Sequence, residues 1–345
     1  MIRHVDSFAH YSAAQMTRKY TYVSLNGGGI ATPGRYPVGS GYAWIGNGSG
    51  GDGFGRVLDS QATWGIAAGV ATAAAVSWFV PSPLFCLLDA GTPQITVGTD
   101  AQGHLRVWRG SVAGTVLGTS TLLVPGFQAW SHVEMKATID AVAGAVDVWL
   151  NGRLAIHLTG VNTRATANSS ANEFRVGGDT AAVAVTPRIA DLIVYDGQAG
   201  VTGPVGDCRV ECLLPTGVGN YAQYSTLVGA ATQWQATSEN PADDDTSYIG
   251  SATAGQISSF ATADLVPTSG TVVAVAVAHT DRKDDAGNRT VAGFARLGAV
   301  DKAAAGQPVT NSYLVYQDVM ETDPNNAAWT IANVNAAEFG VKEIA

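Results

Sequence analysis

The sequence predicts an all-β chain of antiparallel β-sandwiches, and three observations carry that prediction. Apolar side chains recur at every second position in short runs, and 41 glycines and 13 prolines punctuate them. Charged residues make up only 14% of the chain, and the rest is rich in Ala, Val, Thr and Ser where a helical bundle would carry Leu, Glu and Lys. A length of 345 residues is enough for two domains that each bury a core.

The elements follow in chain order. MIRHVDSFAHYSAAQ has no continuous apolar run, because Asp6, His10 and Gln15 interrupt it, so a signal peptide is not expected. A short helix is expected over Ser12–Lys19, then a strand over Tyr20–Leu25. NGGG at 26–29 and GNGSGGDG at 46–53 lack the Lys-Ser/Thr and following helix of a phosphate-binding loop, and read as plain loops. The most apolar stretch, Ile66–Leu88, contains Gly69, Pro81 and Pro83 and predicts paired core strands, with no membrane insertion. Further strands are expected at Leu105–Arg109, Glu173–Val176 and Ile189–Tyr195.

The clearest hairpin is WSHVEMKATID followed by GAVDVWLNGRLAIHL. Val133, Met135, Ala137 and Ile139 alternate with His132, Glu134, Lys136 and Thr138, which is a half-buried strand. At Asn151-Gly152 a strict two-residue turn would set Leu154, Ile156 and Leu158 on the face of Asp147 and Trp149. A three-residue loop, Asn151-Gly152-Arg153 with a bulge at Gly152, would instead pair Leu150 with Leu154, Val148 with Ile156 and Val146 with Leu158. The bulged turn is therefore expected.

GQAGVTGPVGD, residues 197–207, predicts a linker between domains at 1–200 and 207–345. Beyond it, strands are expected at Arg209–Leu213, Thr271–Thr280, Arg289–Leu297 and Ser312–Met320, with RKDDAGNR (282–289) as a solvated hairpin tip. Thr330 should start a short helix that stops near Gly340.

The net charge of -9, with no cluster of Lys and Arg, argues against nucleic acid as a partner. Three cysteines, Cys86, Cys208 and Cys212, are an odd number for a disulfide framework. An extended DCRVECLL would hold Cys208 and Cys212 about 13 Å apart, beyond the roughly 7 Å a disulfide spans. They read as buried thiols of a reducing compartment. Glu134, Asp140 and Asp147 are spread singly across a turn, without the paired acids of a glycosidase. Asp243-Asp244-Asp245 lacks the alternating spacing of a calcium loop and reads as a turn-capping run. His132 and His157 have no cysteine partners for zinc. No catalytic, cofactor-binding or metal-ligating residue is assigned, and no cofactor is expected. Trp149 and Trp108 lie on polar strand faces and are candidates for interface anchors or for cover by loops of the same chain.

VDSFAHYS, the Trp130–Leu158 hairpin and the closing IADLIVYDG together resemble a concanavalin A-like, laminin-G-type jelly roll over the first 200 residues. DCRVECLLPTGVGNYAQY, WQATSENPADDDTSYIGSATAGQISSF, TVVAVAVAHTDRKDDAGNRTVAGFARLG and ETDPNNAAWTIANVNAAEFGVKEI resemble a module of tailed-bacteriophage virion proteins. That resemblance implies a non-enzymatic structural component of a phage particle, in a tail, fibre or capsid-decorating position, assembled in the host cytoplasm. Its implied partners are other virion subunits and further copies of itself, with a trimer favoured by the symmetry of fibres and decorations. The alternative is a carbohydrate-binding module that recognises host-surface glycans. The fold itself hosts lectins, hydrolases and structural modules alike.

Overall fold

A computed structural model describes residues 1–46, 51–72, 81–125, 129–178, 187–198 and 200–345. The chain divides into two units, Met1–Val210 and Glu211–Ala345. Both are built from antiparallel strands, so the all-β class holds.

The strands of the first unit are β1 (Ile2–Asp6), β2 (Tyr22–Ser24), β3 (Gly29–Ala31), β4 (Tyr42–Trp44), β5 (Gly53–Gln61), β6 (Thr63–Thr72), β7 (Ser82–Asp89), β8 (Thr92–Thr99), β9 (His104–Arg109), β10 (Thr115–Leu123), β11 (Ser131–Thr138), β12 (Gly144–Leu150), β13 (Arg153–Val161), β14 (Ala171–Gly177) and β15 (Pro187–Asp196). One sheet of eight strands has the order β13-β12-β11-β6-β15-β4-β3, with β1 also on β15. The other, of seven, runs β10-β9-β8-β7-β14-β5-β2. Their inner faces meet in one core, to which Ile66, Met135 and Val148 contribute from the first sheet and Phe85, Val97 and Phe174 from the second. Burial of each such side chain contributes about 1.5–3 kcal/mol.

Three expectations change here. The apolar stretch Ile66–Leu88 does supply core strands, but they do not pair with each other. β6 lies between β11 and β15, whereas β7 lies between β8 and β14 in the opposite sheet. Residues 73–80, between them, fall outside the described residues, as do 47–50 of the second glycine-rich loop. At Asn151-Gly152 the turn has two residues, both at positive φ (51° and 76°), and Leu150 pairs with Arg153. The extra residue sits one step further on. Trp149 pairs with Leu154 and Val148 with Ile156, so Ala155 is the bulge, and Val146 still meets Leu158. Hydrophobic register is thus restored within β13 instead of in the turn. The helix expected at Ser12–Lys19 is a 3-10 helix over Ala13–Arg18.

VDSFAHYS turns around the buried Asp6 carboxylate. Asp6 accepts hydrogen bonds from Phe8 N (2.7 Å), Tyr11 Oη (2.5 Å) and Tyr20 Oη (2.6 Å), and pairs with Lys19 Nζ at 3.0 Å. Burial alone would raise its pKa, but the Lys19 charge leads the interactions that hold it well below the usual carboxylate range.

The second unit contains β16 (Pro215–Ala222), β17 (Thr226–Val228), β18 (Tyr248–Gly250), β19 (Ile257–Thr262), β20 (Val275–Asp281), β21 (Thr290–Leu297), β22 (Val300–Ala303), β23 (Gln307–Pro308), β24 (Leu314–Met320), α1 (Ile331–Ala336) and β25 (Glu338–Glu343). Its main sheet has the order β16-β19-β25-β21-β22, with β23 also on β21, and β20-β24 and β17-β18 form two-stranded ribbons. Val277 and Met320 of one ribbon pack with Ala295, Trp329 and Val334.

Residues 282–289 are not a hairpin tip. β20 pairs with β24 and β21 with β22, β23 and β25, so the segment crosses from ribbon to sheet. Arg209–Leu213 is not a strand either. The helix begins at Thr330, whose side chain accepts from Asn333 N, but ends at Ala336, and Gly340 lies within β25.

Candidate functional site on the outer face of the eight-stranded sheet

Alternation places Val133, Met135 and Ala137 of β11 in the core, so His132, Glu134 and Lys136 point to the outer face. Register then sets Gly69, Ala67 and Gly65 of β6 beside them. Beyond β6, Ala190, Ile193 and Tyr195 of β15 occupy the same three rows. The small side chains of β6 therefore leave a trough between β11 and β15. Gly65 is required there, since a Cβ on it would lie 2.0 Å from the Tyr195 ring.

At one end of the trough, Arg35 and Trp130 flank Gly69. Trp130 stands edge-on to Tyr42, with ring centroids 6.0 Å apart at 69°. The Arg188 guanidinium lies 5.1 Å from the centre of the Tyr42 ring. All three of Tyr42, Trp130 and Arg188 are half-buried. At the other side, Trp149 is opposite Glu134, and Asp147 is opposite Lys136 while pairing with His157 at 2.6 Å.

The trough is filled by Gly203–Val210. The Glu134 carboxylate accepts from Tyr195 Oη (2.7 Å), Val205 N (2.8 Å) and Gly206 N (3.0 Å). Asp207 pairs with Arg35 at 2.5 Å, Cys208 Sγ donates to Val205 O at 3.1 Å, and Val210 N donates to Asp191 Oδ1 at 2.9 Å. Arg209 Nη2 donates to Val38 O at 2.7 Å. Two backbone amides here are spent outside any ladder, Cys208 N on Gly206 O and Val210 N on Asp191 Oδ1, and the expected strand at Arg209 does not form.

Electrostatics follow from the cover. Burial raises the Glu134 carboxyl, opposed by the Tyr195 hydroxyl and the two amides. Burial pushes Asp191 up to about 6 and the Cys208 thiol up to about 11. His132 is 1% exposed, and neither ring nitrogen has a hydrogen-bond partner. Burial lowers it to about 4, so the ring is neutral at pH 7.

The remaining sequence candidates separate. Asp140 caps Val142 N and Ala143 N at 2.7 Å each. Asp243 bonds Ser247, whereas Asp245 accepts from Arg282 and Tyr313, so the acidic run is spent on internal contacts. Among the described residues no three His, Cys, Asp or Glu side chains are placed to hold a metal ion. Cys86 is buried, Cys208 and Cys212 are half-buried, and none of the three forms a disulfide among the described residues. Trp108 is 2% exposed, which removes it as an interface anchor, whereas Trp149 is half-buried. Tyr195, Arg35 and Asp191 were missed because each comes from a strand or loop distant in sequence; the only local signal was that His132 and Glu134 share a face.

A second ionisable cluster lies in the second unit. His279 Nδ1 is 2.5 Å from Asp281 and Nε2 is 3.5 Å from Asp318, and Asp318 also accepts from Gly293 N at 2.6 Å. Burial opposes charging of the imidazole, but Asp281 and then Asp318 raise it to about 9.

No family model matches the chain, and no curated protein does. Among solved structures it is similar to the alginate lyase Aly36B (11% identity, 46% of this chain and 82% of that one, TM-score 0.33). It is also similar to the cellulose-induced protein Cip1 (17%, 55% and 90%, 0.38) and to the alginate lyase vAL-1 from Chlorella virus (11%, 51% and 91%, 0.38). A Trypanosoma rangeli sialidase matches over 49% of this chain and 27% of its own, with 16% identity and a TM-score of 0.34. Likenesses this distant transfer no activity. Set beside these names, two expectations are withdrawn, the non-enzymatic structural role in a phage particle and the absence of enzymatic activity. Two of these neighbours are named as alginate lyases, one as a sialidase and one as a cellulose-induced protein, and none is named as a phage virion protein.

Proposed function

We propose that the first unit binds carbohydrate on the outer face of its eight-stranded sheet, and that its ligand is an acidic polysaccharide. The observation that carries this reading is the half-buried row Trp130, Tyr42 and Arg188 beside the trough. Aromatic rings offer apolar area at little cost in conformational entropy, which suits the C–H faces of pyranose rings. Arg188 has no carboxylate partner among the described residues, so its planar donors are open to an anionic sugar. The half-buried Lys136 adds a second cation on the same face.

The test is binding of the full chain to an immobilised panel of neutral and uronate-containing polysaccharides. Uronate polymers should be retained and neutral glucans should not. Trp130→Ala should weaken retention by about tenfold, the loss of one stacked ring. Equal retention of both polymer classes, or an unaffected Trp130→Ala chain, contradicts the reading. Assay of the same mixtures for new reducing ends records any cleavage.

A further inference from the structure

Glu134 is held in an unusual way for a carboxylate on a sheet surface. Two consecutive backbone amides, Val205 N and Gly206 N, donate one to each of its oxygens. Tyr195 Oη donates to the first oxygen from the side. Two residues earlier on the same face, the buried His132 ring has both nitrogens bare. A neutral imidazole offers one donor and one acceptor, and buried polar atoms of that kind are normally satisfied. The floor is the small-residue track of β6, and Gly203 is pressed so close to Tyr195 that a Cβ there would lie 2.2 Å from the hydroxyl.

We infer that Gly203–Val210 is a displaceable occupant of a sugar subsite, in which Glu134 takes a vicinal pair of hydroxyls where it now takes two successive amides, and His132 completes the ring's hydrogen bonds. This deepens, and rests on, the carbohydrate reading above. Adjacent hydroxyls of a pyranose present the same chemistry as the two amides, a pair of donors on neighbouring atoms able to reach both oxygens of one carboxylate. The segment also leaves His132 unsatisfied, which a ligand carrying both donors and acceptors would correct. Its anchors are exchangeable polar contacts: Asp207, an exposed residue, on Arg35; Arg209 on Val38 O; and Val210 N on Asp191. Displacing it would release Arg35 from Asp207 and add a guanidinium to the site.

Cys208 reports on the segment, because its half-buried thiol donates to Val205 O within it. The experiment measures iodoacetamide alkylation of Cys208 in the full chain by peptide mass spectrometry, with Cys86 as the buried control. The probes are tetramannuronate, tetragalacturonate and cellotetraose. A bound uronate tetrasaccharide should speed Cys208 alkylation about fivefold or more as the thiol is exposed. Asp207→Ala combined with Arg209→Ala should raise the basal rate and tighten binding by about tenfold, because less of the chain is in the covered state. Glu134→Gln, whose amide nitrogen cannot accept a hydrogen bond, should weaken binding about tenfold and, by setting a donor against one of the segment's own donors, raise the Cys208 alkylation rate of the unbound chain. A tetrasaccharide that binds while Cys208 alkylation stays constant, or Glu134→Gln binding at full affinity, overturns the inference and leaves the carbohydrate reading standing. Failure of every probe to bind either the unaltered chain or the double variant overturns both.

Discussion

At the scale of single residues, the ionisable groups of this chain are settled by what covers them. His132 and His279 are both buried, yet one is driven neutral and the other charged, because His132 meets no hydrogen-bonding acid and His279 lies between two. The consequence is a stability dependence with a definite sign. His279 has its pKa raised from 6.5 to about 9 by folding, so its contribution is full below the unfolded value and is lost as pH rises through 9. Between about pH 7.5 and pH 10 the unfolding free energy should fall by about 2 kcal/mol from this group. Urea unfolding at the two pH values checks it. His279→Gln should remove that part of the pH dependence, and an identical slope in both chains contradicts the assignment. The cluster was not legible in advance, because Asp318 lies 39 residues from His279 and nothing local marks strands β20 and β24 as partners.

Among the elements, alternation was the reliable guide. It identified which residues of β11 and β12 face the core, and it required an extra residue near Asn151-Gly152. It could not say where that residue goes, since a bulge at the turn and one inside β13 both restore the hydrophobic register. The Asn-Gly pair accommodates positive φ at both turn positions, which favours the two-residue turn and moves the bulge to Ala155. Deleting Ala155 should therefore leave Val148 opposite Ile156 and lower the melting temperature only slightly, by about 5 °C or less. Deleting Ile156 should straighten the same bulge but put Ala155 opposite Val148, replacing a buried isoleucine by alanine and lowering the melting temperature distinctly more, for a loss of about 2–5 kcal/mol of stability. Thermal unfolding followed by circular dichroism distinguishes the two; equal damage from both deletions would contradict the register. Sheet partners were less legible than strands. Ile66–Leu88 holds two core strands whose β-branched and aliphatic content is clear, but membership of opposite sheets depends on pairings made elsewhere in the chain. The segment 282–289 sits between two strong strands, as a hairpin tip would, and only tertiary pairing shows otherwise.

For the whole molecule, the first unit brings a row of aromatic and guanidinium groups to one sheet face and covers the adjoining trough with its own C-terminal segment. Composition excluded nothing about that face, because it is assembled from β4, β6, β11, β15 and two loops whose sequences are unremarkable one at a time. The acidic balance of the chain, with a net charge of -9, also obscured the guanidinium of Arg188, which sits beside Tyr42 at the edge of a face whose other cations, Arg35 and Lys136, lie against Asp207 and Asp147. Such a surface should bind anions with a salt dependence that the overall charge would not suggest. The most direct measurement is calorimetric titration of the full chain with tetramannuronate and with cellotetraose, repeated for Arg188→Ala. Saturable binding of tetramannuronate alone, weakened about tenfold or more by Arg188→Ala, is the predicted result. No heat of binding from either sugar, or equal affinities for the acidic and neutral tetrasaccharides, would contradict it.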